Sequence, residues 1–510
     1  MRAFVLILLA AFLNATTVAI AGQPFNPITS DLPSASNPIT SDLPSAINSN
    51  LPDLSGPANG ILDKQQQYEL GYSVMMQMRQ QGVLFNDPET SEYIQQIGQR
   101  LASQSTDGGG YFHYVVLRTQ ELNSFAVTGG WVFVFTSMIK FTQTESELAA
   151  VMSHETAHIV QKHVLREIED QKNATMIGLA GMLAAILLGA LGGGGGDAIE
   201  GGIVASQGLA AQHQINFDRS QEAEADRVGM QYLAAAGFDP QGAPDIWALM
   251  MRQQGVQDSW VPAMLQDHPV DSVRLADLSE RAAQYPPVRD TSSPDYYLIR
   301  ERVRVLTAPD GADIHRVYAQ KVAAGDHSLA TMYGYALALM QDNMASNAVP
   351  ILKKLIAKRG ELHLLYSALG QAQAKAGDLK DSLATFRLAM ELFPRNIPIS
   401  IRYAQALMAD GRSAQAHDVL LDLFNNVEPT PDQIQFTAQA ASAAGDLGDA
   451  YYYMGEYQIA DGNLPLAAEQ YRLALRTPHL TNVQRQRISA RLREVNEYLA
   501  STRQQQRQTE

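Results

Sequence analysis

The 510-residue sequence predicts an α+β domain followed by an all-α domain of repeated helix pairs. Two observations predict this division. Between residues 61 and 290, β-rich stretches bounded by turn residues lie among helical stretches. From residue 291 to about residue 500, the helical stretches are broken at regular 34-residue intervals. A chain of this length usually exceeds what one hydrophobic core organises, so two or three domains are expected.

The composition is that of a soluble globular protein, with 46% hydrophobic and 18% charged residues. The formal net charge of -15 argues against binding to nucleic acid and against attraction to anionic lipid. The chain has no cysteine, so no disulfide can stabilise the fold. Thiolate ligands are also excluded, and any metal site must use histidine and carboxylate side chains.

The first 21 residues have the layout of a secretory signal that is cleaved after Ala21. Arg2 supplies a positive charge, Phe4–Leu13 is apolar, and small residues stand at the third and the last position before the cut. An uncleaved membrane anchor is the alternative. Residues 22–60 follow, in which the sequence Asn-Pro-Ile-Thr-Ser-Asp-Leu-Pro-Ser-Ala occurs twice. This proline-broken segment is predicted to be a disordered linker.

The domain over residues 61–290 is predicted to contain a small sheet among helices. The sequence predicts helices over 65–80 and 91–104 and strands over 112–118, 124–128 and 131–135. Gly129 and Gly130 form a tight turn between the last two strands. A capping box that starts at Thr144 opens the next helix. A further helix is expected from Arg219 to Ala236, before Gly237.

The C-terminal domain, residues 291–500, repeats with a 34-residue period. The breaks between its helices share this spacing and fall at Asn343, Gly377, Gly411 and Gly445. A small residue follows each break by five positions and a larger apolar residue by nine: Ala348, Ser382, Ala416 and Ala450, then Leu352, Phe386, Leu420 and Met454. Small residues let paired helices approach closely, so the pattern resembles tetratricopeptide repeats, with an unrelated helical bundle as the alternative. Gly462 falls half a period late, which predicts a shifted last unit, and residues 501–510 are expected to be a polar tail.

The segment His154-Glu155-Thr156-Ala157-His158 carries the chemistry that the sequence predicts. Positions i and i+4 share one face of a helix, so both imidazoles can reach one ion while Glu155 projects beside it. We expect Glu155 to be the general base of a hydrolytic reaction. The alternative is a surface helix with two ordinary histidines.

A later helix supplies candidates for the rest of the site. Glu222 completes a two-histidine, one-glutamate ligand set and leaves a fourth position open for water, as catalytic zinc requires. Asp226, four residues further on, is expected to accept the other ring N–H of a ligating histidine. Glu224 should point elsewhere as a solvated charge. His163 lies five residues after His158, on the wrong helix face for the metal, and is expected to be structural or exposed; His213 has no predicted role.

These motifs resemble the M48 family of metallopeptidases over roughly residues 61–480. The resemblance includes the segment ahead of the double glycine, which consists of Asn123, Ser124, Phe125 and Ala126. The resemblance implies a gluzincin-type zinc endopeptidase with one zinc ion per chain, and substrate docking as a β-strand along residues 123–126. Some members of this family combine an export signal with tetratricopeptide-like repeats. Resemblance to them implies a periplasmic location and a role in quality control of outer-membrane β-barrel proteins. Unfolded or misassembled outer-membrane proteins are the implied clients, and the repeats are a candidate docking site for the β-barrel assembly machinery.

His268, in the segment Asp267-His268-Pro269, and Arg274 match a stretch that family members carry after the third ligand. His268 is a candidate oxyanion donor or a candidate fourth metal ligand that acts as a latch. The resemblance implies the latch. A structural histidine at the start of a helix is the third interpretation.

Residues 174–191 are apolar and uncharged, at the threshold length for a membrane span. A single crossing would separate the two histidines from Glu222, and a return crossing would place polar residues in the bilayer. We therefore expect residues 174–210 to form a glycine-hinged lid or paired helices that pack over the site, with contact to a membrane surface as the alternative.

Three functions are compatible with these residues. The leading hypothesis is a periplasmic zinc endopeptidase with repeats that bind clients or partners. The second is a chaperone or scaffold whose protease site is latched. The third is a zinc hydrolase that acts on a non-peptide bond.

Overall fold

The computed structural model describes residues 62–105, 112–170, 219–256, 262–289, 292–309 and 312–509. The predicted signal, the linker over residues 22–60, His213 and the apolar segment over 174–210 lie outside the described residues.

Two helices open the first domain, and aspartate side chains fix where they begin. Helix α1 spans Lys64–Gln80 and helix α2 spans Pro88–Ala102. Asp63 caps α1 through the backbone N–H of Gln66, and Asp87 caps α2. The sequence predicted that α2 begins at residue 91, three residues later than it does. The capping aspartates, rather than the apolar periodicity, determine where these two helices begin.

A three-stranded sheet follows, with strands β1 (His113–Leu117), β2 (Ser124–Val127) and β3 (Trp131–Phe135). Their order is β1-β3-β2, with β1 parallel and β2 antiparallel to β3. Every residue of the central β3 is buried. The turn between β2 and β3 places Gly129 at φ +83°, where a Cβ would lie 2.3 Å from the carbonyl oxygen of Gln67, so only glycine fits there.

The remaining helices of this domain surround the sheet. They are α3 (Thr136–Phe141), α4 (Glu145–Val160), α5 (His163–Asp170), α6 (Arg219–Ala235), α7 (Gly242–Val256), α8 (Ala263–Asp267) and α9 (Ser272–Ala282).

Helix α4 is central and is almost wholly buried as far as His158. Half of its predicted capping box is present: Thr144 accepts from the backbone N–H of Glu147, whereas the Glu147 side chain accepts from the backbone N–H of Gln143. Helix α6 packs closely against it at Gly229, where a Cβ would lie 3.1 Å from the backbone of His154. This close approach brings the side chains of the two helices together.

The rest of the described chain is helical. The helices are α10 (Pro294–Leu306), α11 (Ile314–Ala323), α12 (Leu329–Gln341), α13 (Ala345–Lys358), α14 (His363–Lys375), α15 (Leu379–Leu392), α16 (Ile397–Ala409), α17 (Ser413–Phe424), α18 (Pro431–Ala444), α19 (Leu447–Ala460), α20 (Leu464–Arg476) and α21 (Asn482–Thr509). The predicted polar tail is the last part of α21.

The 34-residue period appears as helix pairs whose turns all use left-handed backbone. The four predicted breaks at Asn343, Gly377, Gly411 and Gly445 have φ between 60° and 88°. Phe386 of α15 packs against Gly370 of α14, where a Cβ would lie 2.5 Å from the ring. Tyr471 packs in the same way against Gly455. This second glycine–aromatic pair lies two and a half periods after the first, which agrees with the predicted shift of the last unit.

The chain divides into two compact units, one over Leu54–Ile399 and the other containing Ser400–Glu510. Inside the first, Arg302 of α10 pairs with Asp87 and Glu89 at the start of α2. Ser367 of α14 donates to Glu89 at 2.6 Å. The predicted boundary after residue 290 therefore separates two architectures but lies within one packed unit.

Among the described helices, none combines the length and the apolar character needed to cross a bilayer.

Candidate metal centre

Helix α4 presents His154, Glu155 and His158 toward α6. All three side chains are almost fully buried. The Nε2 atoms of His154 and His158 lie 3.0 Å apart, as the i, i+4 spacing predicts.

Glu222 reaches the same point from the first turn of α6. One of its carboxylate oxygens lies 3.5 Å from Nε2 of His154, and the other lies 3.5 Å from Nε2 of His158. The three predicted ligands therefore come from two helices and meet at one place.

His268, in the loop between α8 and α9, approaches from the opposite side. Its Nδ1 lies 3.2 Å from Nε2 of His154 and 3.0 Å from Oε1 of Glu222. The loop is held in place because Asn123 donates to Asp267 at 2.8 Å and Met264 donates its backbone N–H to Leu122.

The geometry of these four side chains fits one divalent ion. His154, His158, Glu222 and His268 each offer a ligand atom, and all lie within 4.8 Å of one another. Metal bonds of about 2.0–2.1 Å at tetrahedral angles separate ligand atoms by about 3.3 Å, and the distances above are 3.0–3.5 Å. Three imidazole nitrogens and a carboxylate face one point here. Together they carry too few protons for each of them to form a hydrogen bond with another. A cation at their centre would satisfy all four.

Glu155 lies beside this point without being part of it. Its carboxylate is 1% exposed, and Oε1 has no hydrogen-bond partner among the described residues. The nearest cationic candidate is Nε2 of His268, at 3.6 Å from Oε1. Burial raises the pKa of Glu155 to about 7. An unpartnered carboxyl group with this pKa can take up and release a proton near neutral pH.

Asp226 and Arg274 support the ligands from behind. Oδ1 of Asp226 lies 3.0 Å from Nδ1 of His154, although the ring is not aligned for a linear hydrogen bond. Arg274 donates two hydrogen bonds to Asp226, and its Nη1 lies 2.8 Å from Oε2 of Glu222. Burial raises the pKa of Asp226, but the bonds from Arg274 outweigh it and hold that pKa below its usual range. Arg274 also donates to the carbonyl of Pro269, which ties the His268 loop to α6.

His163 and Glu224 are the residues whose place near this site the sequence did not predict. His163 is fully buried, and its Nδ1 lies 2.9 Å from Nδ1 of His158. Its Nε2 lies 3.2 Å from Oε2 of Glu224, which also accepts from Arg166. The expectation that Glu224 is a solvated charge was wrong, as was an exposed position for His163. Burial lowers the pKa of His163 to about 4.

Residues 123–126 lie along β2, and most of their side chains are already engaged. Asn123 holds the His268 loop, and Ser124 donates to the carbonyl of Phe133. Phe125 stacks on Phe133 inside the sheet core, with ring centroids 4.8 Å apart. Ala126 alone is partly exposed, at the cleft described next.

A small cleft next to the ligands connects the sheet to the site. It is lined by Ala126, Thr128, His158, Ile159, Lys162, Val164 and Leu165.

Comparison with known proteins agrees with this geometry. Residues 88–282 match peptidase family M48, a range that contains every candidate ligand. The β-barrel assembly-enhancing protease of Yersinia pestis is 30% identical over 449 residues, which cover 86% of this chain and 91% of the relative. The protein of the same name from Escherichia coli K12 is 29% identical over 442 residues, covering 85% and 89%.

More distant similarities cover single domains. The mitochondrial metalloendopeptidase OMA1 of Schizosaccharomyces pombe is 29% identical over 211 residues, 40% of this chain and 56% of the relative. A tetratricopeptide repeat protein of Thermus thermophilus aligns with 38% of this chain and 92% of its own length, at 17% identity and a TM-score of 0.24, too weak to support an argument.

Residues 88–282 match the M48 family, a protease is 30% identical over 86% of the chain, and two helical histidines face a later glutamate. The protein therefore belongs to peptidase family M48 and is a metalloendopeptidase.

Proposed function

We propose that this chain is a gluzincin-type, zinc-dependent endopeptidase of the periplasm that acts on outer-membrane β-barrel proteins when they fail to assemble. One observation carries the enzymatic part: four ligand atoms lie within 4.8 Å of one another, beside the buried carboxyl group of Glu155, whose Oε1 accepts no hydrogen bond from the described residues.

Zinc suits this donor set because neutral imidazoles and a carboxylate are the ligands it commonly takes in metalloproteases. When bound, the ion supplies Lewis acidity to the scissile carbonyl and to a water molecule. His154, His158 and Glu222 would hold it. Asp226 and Arg274 would keep His154 and Glu222 oriented.

Glu155 would then do the proton transfer. Its Oε1 accepts a proton from the attacking water and later gives it to the leaving amine. Its buried position beside the ligand point, with Oε1 not hydrogen-bonded to a described residue, suits both steps.

Strand β2 is a suitable docking edge for an extended substrate. Among the described residues it pairs only with β3, so its other edge offers backbone groups to a peptide that adds as a strand. The side chains of Ser124 and Phe125 are engaged internally, so this recognition would use the backbone.

His268 gives the enzyme a closed resting state. A catalytic site needs one metal position free for water, and Nδ1 of His268 stands where that position is expected. We propose the latch role for His268, in place of an oxyanion donor, because its Nδ1 faces the ligands directly. Substrate entry would require the loop to move.

The same observation favours a second candidate function, a chaperone or scaffold whose protease is rarely active. With His268 in place, all ligand atoms come from the protein. The helical repeats would then carry the function, since stacked helix pairs form extended surfaces for peptides or partner helices.

The β-barrel clients are proposed by analogy with the β-barrel assembly-enhancing proteases, which match this chain along most of their length. Docking of the repeats on a β-barrel assembly machine is part of the same proposal. The predicted signal over residues 1–21 supports the periplasmic location.

The test is metal analysis of the purified protein together with cleavage of casein, for the wild type and Glu155→Gln. We expect one zinc ion per chain in both proteins and cleavage by the wild type alone. A wild type that carries no metal after repletion would overturn the proposal.

A further inference from the structure

A chain of contacts runs from His158 away from the ligand point. Nδ1 of His158 lies 2.9 Å from Nδ1 of His163, and Nε2 of His163 lies 3.2 Å from Oε2 of Glu224. Glu224 is itself held by Arg166, at 2.9 Å. The histidine is fully buried, and the Glu224 side chain is 10% exposed.

The ring nitrogens allow one self-consistent proton arrangement if Nε2 of His158 is a metal ligand. That nitrogen must then be unprotonated, so the ring proton of neutral His158 is on Nδ1. Nδ1 of His163 has to accept it, because two N–H groups cannot face each other at 2.9 Å. The proton of His163 is therefore on Nε2, where it is donated to the Glu224 carboxylate.

The backbone turn after α4 makes this arrangement possible. On a continuous helix, a residue five positions after His158 would point away from it. Helix α4 ends at Val160, and Lys162 adopts a left-handed conformation with φ 56°. The chain turns back there, so that His163 starts α5 directly against the ring of His158.

We propose that His163 is a positioning residue that, together with Glu224, fixes the tautomer and ring orientation of His158 for metal binding. The inference rests on the proposed metal site. Each of the two histidines would then have a carboxylate on the side of its ring away from the metal. Asp226 contacts His154 directly, and Glu224 contacts His158 through His163. Outer contacts of this kind typically change metal affinity about 10- to 100-fold.

The test compares zinc affinities, measured by competition with a chromogenic chelator, together with melting temperatures of the metal-free and zinc-saturated full-length protein. His163→Phe keeps a ring of similar size but removes both nitrogens. His163→Asn keeps a polar atom near the position of Nδ1. We expect His163→Phe to weaken zinc binding about 10- to 100-fold, and His163→Asn to recover part of this loss.

Glu224→Ala provides a second route that disturbs the core less. Alone, it should weaken zinc binding several-fold. In the His163→Phe background it should have no further effect, because both residues act through one chain of contacts. His113→Phe, at a histidine that stacks on Trp131 away from the ligands, is the matched control and should keep wild-type affinity.

The outcomes separate this inference from the proposed function. If the wild type binds no zinc and His154→Ala behaves in the same way, the metal site itself is refuted. If the wild type binds zinc and His163→Phe binds it equally well, only the positioning role is overturned. A lower melting temperature of the metal-free His163→Phe protein with unchanged zinc affinity would reduce His163 to a packing residue.

Discussion

Nδ1 of His268 lies 3.2 Å from Nε2 of His154, so a loop histidine and a helix histidine face the same point. The helix is held on every side by the core, whereas His268 stands in a loop between two short helices. In the proposed latch, movement of this loop would separate the two residues and free one position of the metal site.

Replacing His268 by alanine should speed up proteolysis. The substitution removes the fourth protein ligand and frees a position for water, while three ligands remain to hold the ion. We expect His268→Ala to retain zinc and to cleave casein several-fold faster than the wild type, measured as the initial rate with the proteins at equal metal content. Slower cleavage at full zinc content would refute the latch and favour a role in stabilising the oxyanion.

Glu155→Gln separates proteolysis from any chaperone role. Its isosteric amide cannot take up the proton, so cleavage should fall by about 10²- to 10⁴-fold with zinc content unchanged. The measurement is peptide cleavage in vitro alongside complementation of a strain that lacks the protein. Full complementation by the inactive variant would remove proteolysis from the essential function and support the scaffold hypothesis.

Arg274→Lys should weaken the site although it keeps the positive charge. A single ammonium cannot reproduce the paired bonds to Asp226 together with the contact to Glu222. Hydrogen bonds to charged groups contribute about 1.5–3 kcal/mol each, so the free energy of unfolding should fall by about that amount. Urea denaturation measures it, and zinc affinity should fall in parallel.

The control for that experiment lies on the same helix. Arg281 forms a largely exposed pair with Asp277, and Arg281→Lys should change stability by less than about 0.5 kcal/mol. If Arg274→Lys has the same free energy of unfolding and the same zinc affinity as this control, Arg274 does not orient Asp226 and Glu222 as proposed.

Arg302→Met should destabilise the protein strongly, away from the metal. It would leave the carboxylates of Asp87 and Glu89 buried without their cation. Removing one partner of a buried ion pair typically costs about 3–5 kcal/mol. Adding Glu89→Gln to Arg302→Met should recover part of the loss in urea denaturation, since one fewer buried charge would remain unpaired. Arg316→Met, at an exposed arginine, serves as the neutral comparison.

The sequence predicted that the candidate ligands would lie together because their spacing is a property of regular helices. His154 and His158 share a face at i, i+4, as do Glu222 and Asp226. The structure brings His154, His158 and Glu222 to one point, with Asp226 behind the ring of His154. The repeat breaks were predictable for a similar reason. Glycine or asparagine every 34 residues marks the left-handed turns that the structure contains, for example at Gly377.

The contacts that the sequence did not predict depend on irregular backbone and on distant pairing. The position of His163 depends on the left-handed turn at Lys162, a lysine that carries no turn signal of its own. Glu224 was assigned to solvent because nothing in its own helix indicates that His163 and Arg166 cover it. The predicted boundary after residue 290 lies inside one compact unit, in which Glu89 accepts a hydrogen bond from Ser367, 278 residues away.

Glu89 is 1% exposed, and it receives hydrogen bonds from Arg302, Ser367 and Gln371. A catalytic fragment that ends near residue 290 would lose all three donors, together with the helices α10 and α14 that carry them. The smallest piece worth expressing for inhibitor screening or crystallisation therefore extends through the first repeats, to about residue 399.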